Sequence, residues 1–490
     1  MRKILITSLL FLIFLLSTVA VFADYDEPPY DEAPQVLDIP IQATAAILVE
    51  QSTGRVLFGH NIHERRYPAS MTKILTALVV LDYFEPDEVI VVGPEIHNMP
   101  AGYATLIHYE GESITVRMLL KALMIRSGNE TGRTLALNVA RRVLGNPDMS
   151  YEDAKREFSV LMNQRAQELG ATNSNFNNPY GLHSEHHFTT AYDLALIARA
   201  YMEVPLLAEI AGMHRFEGDG LEGRYISGAL VREYSWVNTN QVLPDAPFGH
   251  PHVTGIKTGF TTPAGECFAG AASFGDLSLI TIIFDSESPG RWNDNRRLMD
   301  FGFINFAFRD IIQADDFIEY VRITNPRRGD TDILAIHASD SYSALLSHAE
   351  YSNMTRVITY NLLLTPPVRR GDEDYDDYYD DGLTRLQAPI EEGEIVGTLA
   401  YYVEGVRIFE TTLYAATTAL ERSFDSDMDY YIALVTDNIF TLRGLPYWLA
   451  IGGTIIGFTG MGWALSLRRR LKEHDRWHKP RPRHPARRQD

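Results

Sequence analysis

The sequence predicts an α+β fold in which strands flank a helical middle, followed by a smaller β-rich domain and a C-terminal transmembrane helix. Three observations predict it. Short apolar strands sit at both ends of the region 41–312, with helix-period runs between them, a layout unlike an alternating parallel sheet. Past Phe306–Asp315 the pattern turns to alternating apolar and polar residues. From Leu445 to Leu467 there are 23 residues without a charge, followed directly by Arg468-Arg469-Arg470.

The elements follow in chain order. Ala45–Glu50 and Arg55–Phe58 read as strands around a Ser-Thr-Gly turn. Met71–Phe84 carries apolar residues at Met71, Ile74, Leu75, Leu78 and Leu81, a helical stripe that Val79 and Val80 widen, so burial on most sides is expected. Val116–Ile125, Glu130–Val143 and Tyr151–Leu169 also read as helices. Val253–Ile256, Phe268–Ser273 and Leu277–Phe284 read as strands, the last two joined as a hairpin around Gly275-Asp276. In the β-rich domain, 313–440, the strand signals are Phe317–Thr324, Arg356–Leu364, Ile395–Val403 and Val406–Leu413. The acidic stretch Gly371–Gly382 fails the calcium-loop pattern, because Ala388 stands where the final Glu is required, and reads as a solvated loop.

The two ends predict topology. Arg2 and Lys3 precede the apolar run Ile4–Leu16, and Val21 and Ala23 suit a cut before Asp24, so residues 1–23 read as a secretory signal peptide. A Pro-rich acidic lead-in spans 24–40. The 445–467 segment is long enough to cross a bilayer, and the tail 468–490 carries ten Lys/Arg against three Asp/Glu. By the positive-inside rule the tail is cytoplasmic and the rest lies outside a bacterial cell membrane. The formal charge of −20 becomes −29 over residues 24–467 once that +7 tail and the two leader cations are set aside. A body so acidic excludes nucleic acid as a partner, and an anionic substrate needs a local cationic site. Cys267 is the single cysteine, so disulfides are excluded and stability must come from burial.

Three short motifs carry the chemistry. Ser70-Met71-Thr72-Lys73 follows Tyr67-Pro68-Ala69. Pro68 disfavours helix just before it, and residues three apart on a helix share a face, so the Lys73 amine reaches the Ser70 hydroxyl. A serine needs a base to become a nucleophile, and a lysine with an ordinary pKa of about 10.4 is a poor one until burial and a second cation lower it. Ser127-Gly128-Asn129 can supply a hydroxyl for proton relay and an amide to hold a peptide group. Lys257-Thr258-Gly259, within the run Val253–Thr261, offers a cation and a hydroxyl to a carboxylate, and a glycine that lets a ligand lie along a strand edge. Singly, each has a plain alternative: a helix-capping serine, a turn tripeptide, a solvated lysine. His183, His186 and His187 lack a third-ligand pattern, so no metal site is expected. Cys267 reads as a small buried strand residue.

In this order the motifs are of the type S-x-x-K, S-x-N and K-T-G that marks penicillin-binding proteins and serine β-lactamases. With the stretches Tyr67–Lys73 (YPASMTK), Ile125–Glu130 (IRSGNE), Asn178–Asp193 (NPYGLHSEHHFTTAYD), Trp236–Asn240 (WVNTN) and Gly255–Cys267 (GIKTGFTTPAGEC), the chain resembles the low-molecular-weight D-alanyl-D-alanine carboxypeptidases from about Ala45 to Phe306. The resemblance implies a β-lactamase/penicillin-binding transpeptidase-like domain, an antiparallel sheet with a helical subdomain. It also implies D-alanine removal from peptidoglycan stem pentapeptides without a cofactor, with β-lactams as covalent inhibitors. Carried over, Ser70 is the acylated nucleophile, Lys73 its base and Ser127 a proton relay. Asn129, Lys257, Thr258 and Gly259 bind substrate, and the N–H groups of Ser70 and Phe260 form the oxyanion hole. Glu130 departs from the usual Asp without changing the charge. A serine β-lactamase, a related endopeptidase or transpeptidase, and a non-catalytic wall-binding module remain the alternatives. Gly128, where class A β-lactamases prefer Asp, speaks against the first.

Overall fold

The computed structural model describes residues 39–97, 99–100, 105, 107–360, 385–439 and 460–470. The signal peptide, most of the lead-in, the Gly371–Gly382 loop, the end of the Arg356–Leu364 strand, residues 445–459 of the expected span and the tail beyond 470 lie outside the described residues. Residues 460–470 are helical and exposed. Among the described residues, no helix is long and apolar enough to cross a membrane.

The chain divides into two compact units, Met1–Arg309 with Ala344–Asn353, and Asp310–Ser343 with Met354–Asp490. In the first, strands β1 (Ala45–Glu50), β2 (Val56–His60), β3 (Val253–Thr261), β4 (Gly265–Phe274) and β5 (Leu277–Ser286) form an antiparallel sheet in the order β2-β1-β5-β4-β3. Phe274 pairs with Leu277 across Gly275-Asp276, the expected hairpin.

Both faces of this sheet are covered, which explains its continuous apolar strands. Ile280, Ile282 and Phe284 of β5 join the core beneath the helical layer, while Leu277, Leu279 and Ile283 pack on the opposite face with Trp292, Leu298 and Met299. Alternate residues of a strand point to opposite faces, so a run such as LITIIF, apolar but for Thr281, arises only when neither face meets water. The helical layer comprises α1 (Thr72–Leu81), α2 (Val116–Ile125), α3 (Asn129–Leu144), α4 (Tyr151–Glu168), α5 (Ala191–Glu203) and α6 (Pro205–Gly212), and α7 (Gly290–Asn305) covers the other face. Helix α1 is buried along Thr72–Val80. A lysine within such a helix has no route to water.

Helix α7 was not evident from periodicity, because its buried face carries Asp294 and Asn295. Tertiary partners hold both: Asp294 accepts from the Gln42 and Ala43 N–H groups and the Ser286 hydroxyl, and Asn295 Oδ1 accepts from Thr281, while Asn295 Nδ2 has no partner among the described residues.

In the second unit, β6 (Phe317–Thr324), β7 (Ile333–Ala338), β8 (Thr355–Tyr360), β9 (Arg385–Gln387), β10 (Ile395–Val403) and β11 (Val406–Ala415) form a sheet in the order β8-β10-β11-β7-β6-β9. Its pairs are antiparallel except β6 with β9. Val321, Ile323, Leu334, Ile336, Leu399 and Leu413 build its core.

Candidate active site

Ser70 lies in a single 3-10 turn, Ala69–Met71, that opens directly into α1. N–H groups in a first helical turn have no carbonyl of their own helix to bond, so a turn of this kind leaves donors free. The turn is wedged between two glycines. A Cβ on Gly259 would come 2.9 Å from Pro68 O, and one on Gly181 only 1.8 Å from Ala69 O. Strand β3 and the loop carrying Gly181 therefore approach the turn as bare backbone.

One helical turn on, Lys73 is fully buried. Its amine lies 3.0 Å from Ser70 Oγ, 2.7 Å from Asn129 Oδ1 and 2.8 Å from Tyr180 O. Asn129 Oδ1 and the Tyr180 carbonyl can only accept. A neutral amine has two N–H groups and one lone pair, so these two acceptors take both N–H groups and leave the lone pair for the Ser70 hydroxyl proton. The electrostatics favour that neutral form. Burial, and then the Lys257 ammonium, hold Lys73 well below the usual lysine range, with Glu130 opposing them. Among the described residues Lys73 makes no ion pair.

The third motif lies on β3. Lys257 is buried and its amine reaches Thr258 O at 3.1 Å, while Thr258 Oγ1 lies 2.8 Å from Thr239 Oγ1. Burial, with Arg291 nearby, brings the Lys257 ammonium down to about 7. Arg291 was missed by sequence reasoning. It donates to Gly259 O at 3.3 Å and pairs with Glu266 at 3.0 Å, tying the strand of the third motif to its neighbour. The Phe260 ring is exposed at the rim.

The second motif bridges α2 and α3. Ser127 takes a left-handed backbone, φ 59°, and its hydroxyl makes no hydrogen bond to a described residue. Gly128 is enforced by packing: a Cβ there would fall 2.3 Å from Thr131 Oγ1 and 2.8 Å from Ile107 Cδ1. Thr105 secures the start of α3, accepting from Asn129 N at 3.1 Å and donating to Glu130 from its N–H and hydroxyl. The structure thus joins Ser70, Lys73 and Asn129 by direct contact and couples Lys257 to Lys73 through its charge. Ser127 stands free on the adjoining loop.

Two supports carry no motif signature. Asn178 Oδ1 accepts from the N–H groups of Tyr180, Gly181 and Leu182, folding the loop so that the Tyr180 carbonyl faces Lys73. His187 Nδ1 accepts from Asn177 N at 3.0 Å, which makes Nε2 the N–H that donates to Thr72 Oγ1 at 2.8 Å; Thr72 in turn donates to Ala69 O. Burial holds His187 down to about 3, so it stays neutral at physiological pH. Asp193, in the first turn of α5, holds Asn173 N and Ser174 Oγ, each at 2.7 Å. Cys267 is buried in β4, where burial pushes the thiol up to about 12. Among the described residues no cluster of His, Cys, Asp and Glu is arranged to hold a metal ion.

Against this geometry, comparison with known proteins is informative. A family model described as D-alanyl-D-alanine carboxypeptidase matches residues 31–288. D-alanyl-D-alanine carboxypeptidase DacF of Bacillus subtilis is 26% identical over 378 residues, covering 76% of this chain and 89% of its own length. DacB2 of Mycobacterium tuberculosis, of the same description, is 30% identical over 290 residues, covering 58% of this chain and 88% of its own. Among solved structures, penicillin binding protein 5 from Haemophilus influenzae aligns with a TM-score of 0.52 at 22% identity, covering 79% of this chain and 100% of that one. DacD from Francisella tularensis aligns at 0.54 and 19% identity, covering 80% and 97%. At these identities the structural likeness shows the fold, a penicillin-binding/β-lactamase-like α+β domain with antiparallel sheets.

Proposed function

The chain belongs to the D-alanyl-D-alanine carboxypeptidase family, and on that premise we propose that Ser70, Lys73, Ser127, Asn129 and Lys257 carry out its reaction in the roles their positions suit. The protein is a serine hydrolase that removes the terminal D-alanine from peptidoglycan stem peptides through an acyl-enzyme, and β-lactams acylate the same serine. The observation that carries the assignment of roles is the Lys73 amine, buried, 3.0 Å from Ser70 Oγ, with both its N–H groups engaged by pure acceptors.

Neutral Lys73 takes the Ser70 proton as Oγ attacks the carbonyl carbon of the penultimate D-alanine. The N–H groups of Ser70 and Phe260 receive the developing oxyanion; in other hydrolases such a donor is worth about 3–4 kcal/mol. The C–N bond then breaks, and the leaving D-alanine amine takes a proton by way of Ser127. Lys257 and Thr258 hold the terminal carboxylate, while Asn129 holds the peptide upstream. Lys73, neutral again once that proton has gone to the amine, takes one from water as water attacks the ester carbonyl and returns it to Ser70 Oγ as the C–O bond breaks.

Mass spectrometry of the detergent-solubilised full-length protein incubated with penicillin tests the assignment. One penicilloyl group on the peptide containing Ser70, together with D-alanine release from a pentapeptide, is the expected result. An adduct on Ser127 with none on Ser70 would reassign the nucleophile.

The membrane reading has separate support. The uncharged 445–467 stretch and its basic tail fit a single span with the tail in the cytoplasm, and residues 1–23 fit a signal peptide that delivers the remainder across the membrane. A chain ending at residue 444 is expected in the soluble fraction, with the full-length protein in membranes. Continued sedimentation of the truncated chain with membranes would rule out the C-terminal anchor.

A further inference from the structure

Beside the catalytic lysine lies a cavity of about 380 Å³ that the reaction above does not use; Arg133, Tyr151, Glu152, Lys155, Tyr180 and His183 are among its lining residues. Tyr180 forms the partition. Its carbonyl binds Lys73, and the Lys73 amine lies 5.9 Å from the centre of its ring. Arg133 is one helical turn along α3 from Asn129. Residues four apart share a helix face about 5–6 Å apart, so the cavity follows the wall that begins at Asn129.

Arg133 is nine-tenths buried and makes no ion pair among the described residues. Its guanidinium lies 3.8 Å over the Tyr151 ring, and among the described residues Nη1 finds only Met99 Sδ at 3.5 Å and Nε has no hydrogen-bond partner. Lys155 and Glu152 pair with each other at 2.6 Å and largely cancel. His183 adds a buried Nδ1 without a hydrogen-bond partner among the described residues. A buried cation is costly unless an anion and hydrogen bonds compensate it, and stacking on a tyrosine ring supplies only part of that compensation.

We infer that this cavity is an anion subsite, in which Arg133 receives a carboxylate carried by the substrate peptide upstream of its D-Ala-D-Ala end. The inference rests on the carboxypeptidase reading of Ser70 and Lys73, since the peptide held there supplies the anion. A planar guanidinium matches a carboxylate in two parallel hydrogen bonds. An extended peptide advances about 3.3 Å per residue, so about two residues beyond the peptide group that Asn129 holds cover the distance from Asn129 to Arg133. A body carrying −29 disfavours an anionic peptide wherever no local cation receives it, so a carboxylate upstream needs a cation of its own beyond Lys257.

The test uses full-length protein in detergent and pairs of pentapeptides ending in D-Ala-D-Ala that differ only in Glu versus Gln, with the pair walked over the three upstream positions. At one position wild type should prefer Glu by at least tenfold in kcat/KM. In Arg133→Gln that preference should fall towards one, and in Arg133→Lys part of it should survive. Equal use of Glu and Gln at all three positions by wild type, which needs no variant to fold, would overturn the subsite while leaving the carboxypeptidase reading intact. A preference kept in Arg133→Gln would do the same. Failure of wild type to release D-alanine from any peptide would overturn both.

Discussion

Lys73→Met should cut penicillin acylation and D-alanine release by about 10³-fold or more, within the range that general bases contribute, with little net change in stability. The amine is removed from a site where it is fully buried and has no ion-pair partner among the described residues, so an apolar side chain of similar length relieves a desolvation cost that offsets the hydrogen bonds lost to Asn129 Oδ1 and Tyr180 O. Catalysis suffers because nothing else described contacts Ser70 Oγ as a base. The same pair of lysines predicts the pH profile. Burial and Lys257 keep Lys73 low, so the acid limb of kcat/KM, where Lys73 gains its proton, lies well below the ordinary lysine range. Lys257 must be charged to hold the substrate carboxylate and titrates at about 7, so kcat/KM should fall as pH rises through 7. Bound carboxylate stabilises the ammonium, which moves the corresponding limb of kcat to higher pH. Lys257→Arg should carry the alkaline limb out of range, because guanidinium does not deprotonate there. A stopped-flow pH series of acylation measures both limbs. A kcat/KM that stays flat from pH 7 to 9 in wild type would remove Lys257 from the carboxylate site.

What could be read from the chain follows from how local each signal is. Ser70 and Lys73 are one helical turn apart, so their meeting needs only the helix, and the helix announces itself through Ile74, Leu75, Leu78 and Leu81. Strands β1 and β5 stand out because two buried faces leave a nearly continuous apolar run, Ala45–Val49 in the one and Leu279–Phe284 but for Thr281 in the other. The supports were illegible for the opposite reason. Tyr180 acts through its carbonyl, a group that every residue has. Arg291 and Arg133 matter because of what burial does to them, and a sequence shows an arginine without its surroundings. Helix α7 hides because Asp294 and Asn295 face inward, reversing the pattern that marks a helix. Gly128 invited comparison with β-lactamases, whereas its immediate cause is the Thr131 hydroxyl that occupies the place of a Cβ.

The largest expected structural effect belongs to Gly181→Ala. Gly181 has φ +86°, and its added Cβ would lie 1.8 Å from Ala69 O, 2.3 Å from Ala69 C and 2.9 Å from Ser70 N. All three are backbone atoms of the nucleophile turn, so no side chain can rotate away. The turn cannot retreat either: on its other side Gly259 meets Pro68 O with no space for even one more carbon, and Ala69 already holds a left-handed φ of 45°. The loop on the near side is pinned by three N–H groups on Asn178 Oδ1. Left-handed backbone alone costs an L-residue about 1–2 kcal/mol, and overpacking a rigid contact adds about 1–3 kcal/mol or more. Gly181→Ala should therefore lose about 2–5 kcal/mol, and any folded fraction should acylate at least 100-fold more slowly because Ser70 and its N–H are displaced together. Gly145→Ala separates the two contributions, since Gly145 has a similar φ of +61° with nothing within 4 Å, and it should lose only the backbone share. Urea unfolding midpoints of the two variants, read beside their penicillin acylation rates, decide the matter. Equal losses at positions 181 and 145, with acylation unaffected, would mean that the turn around Ser70 is not held by backbone contact with Gly181.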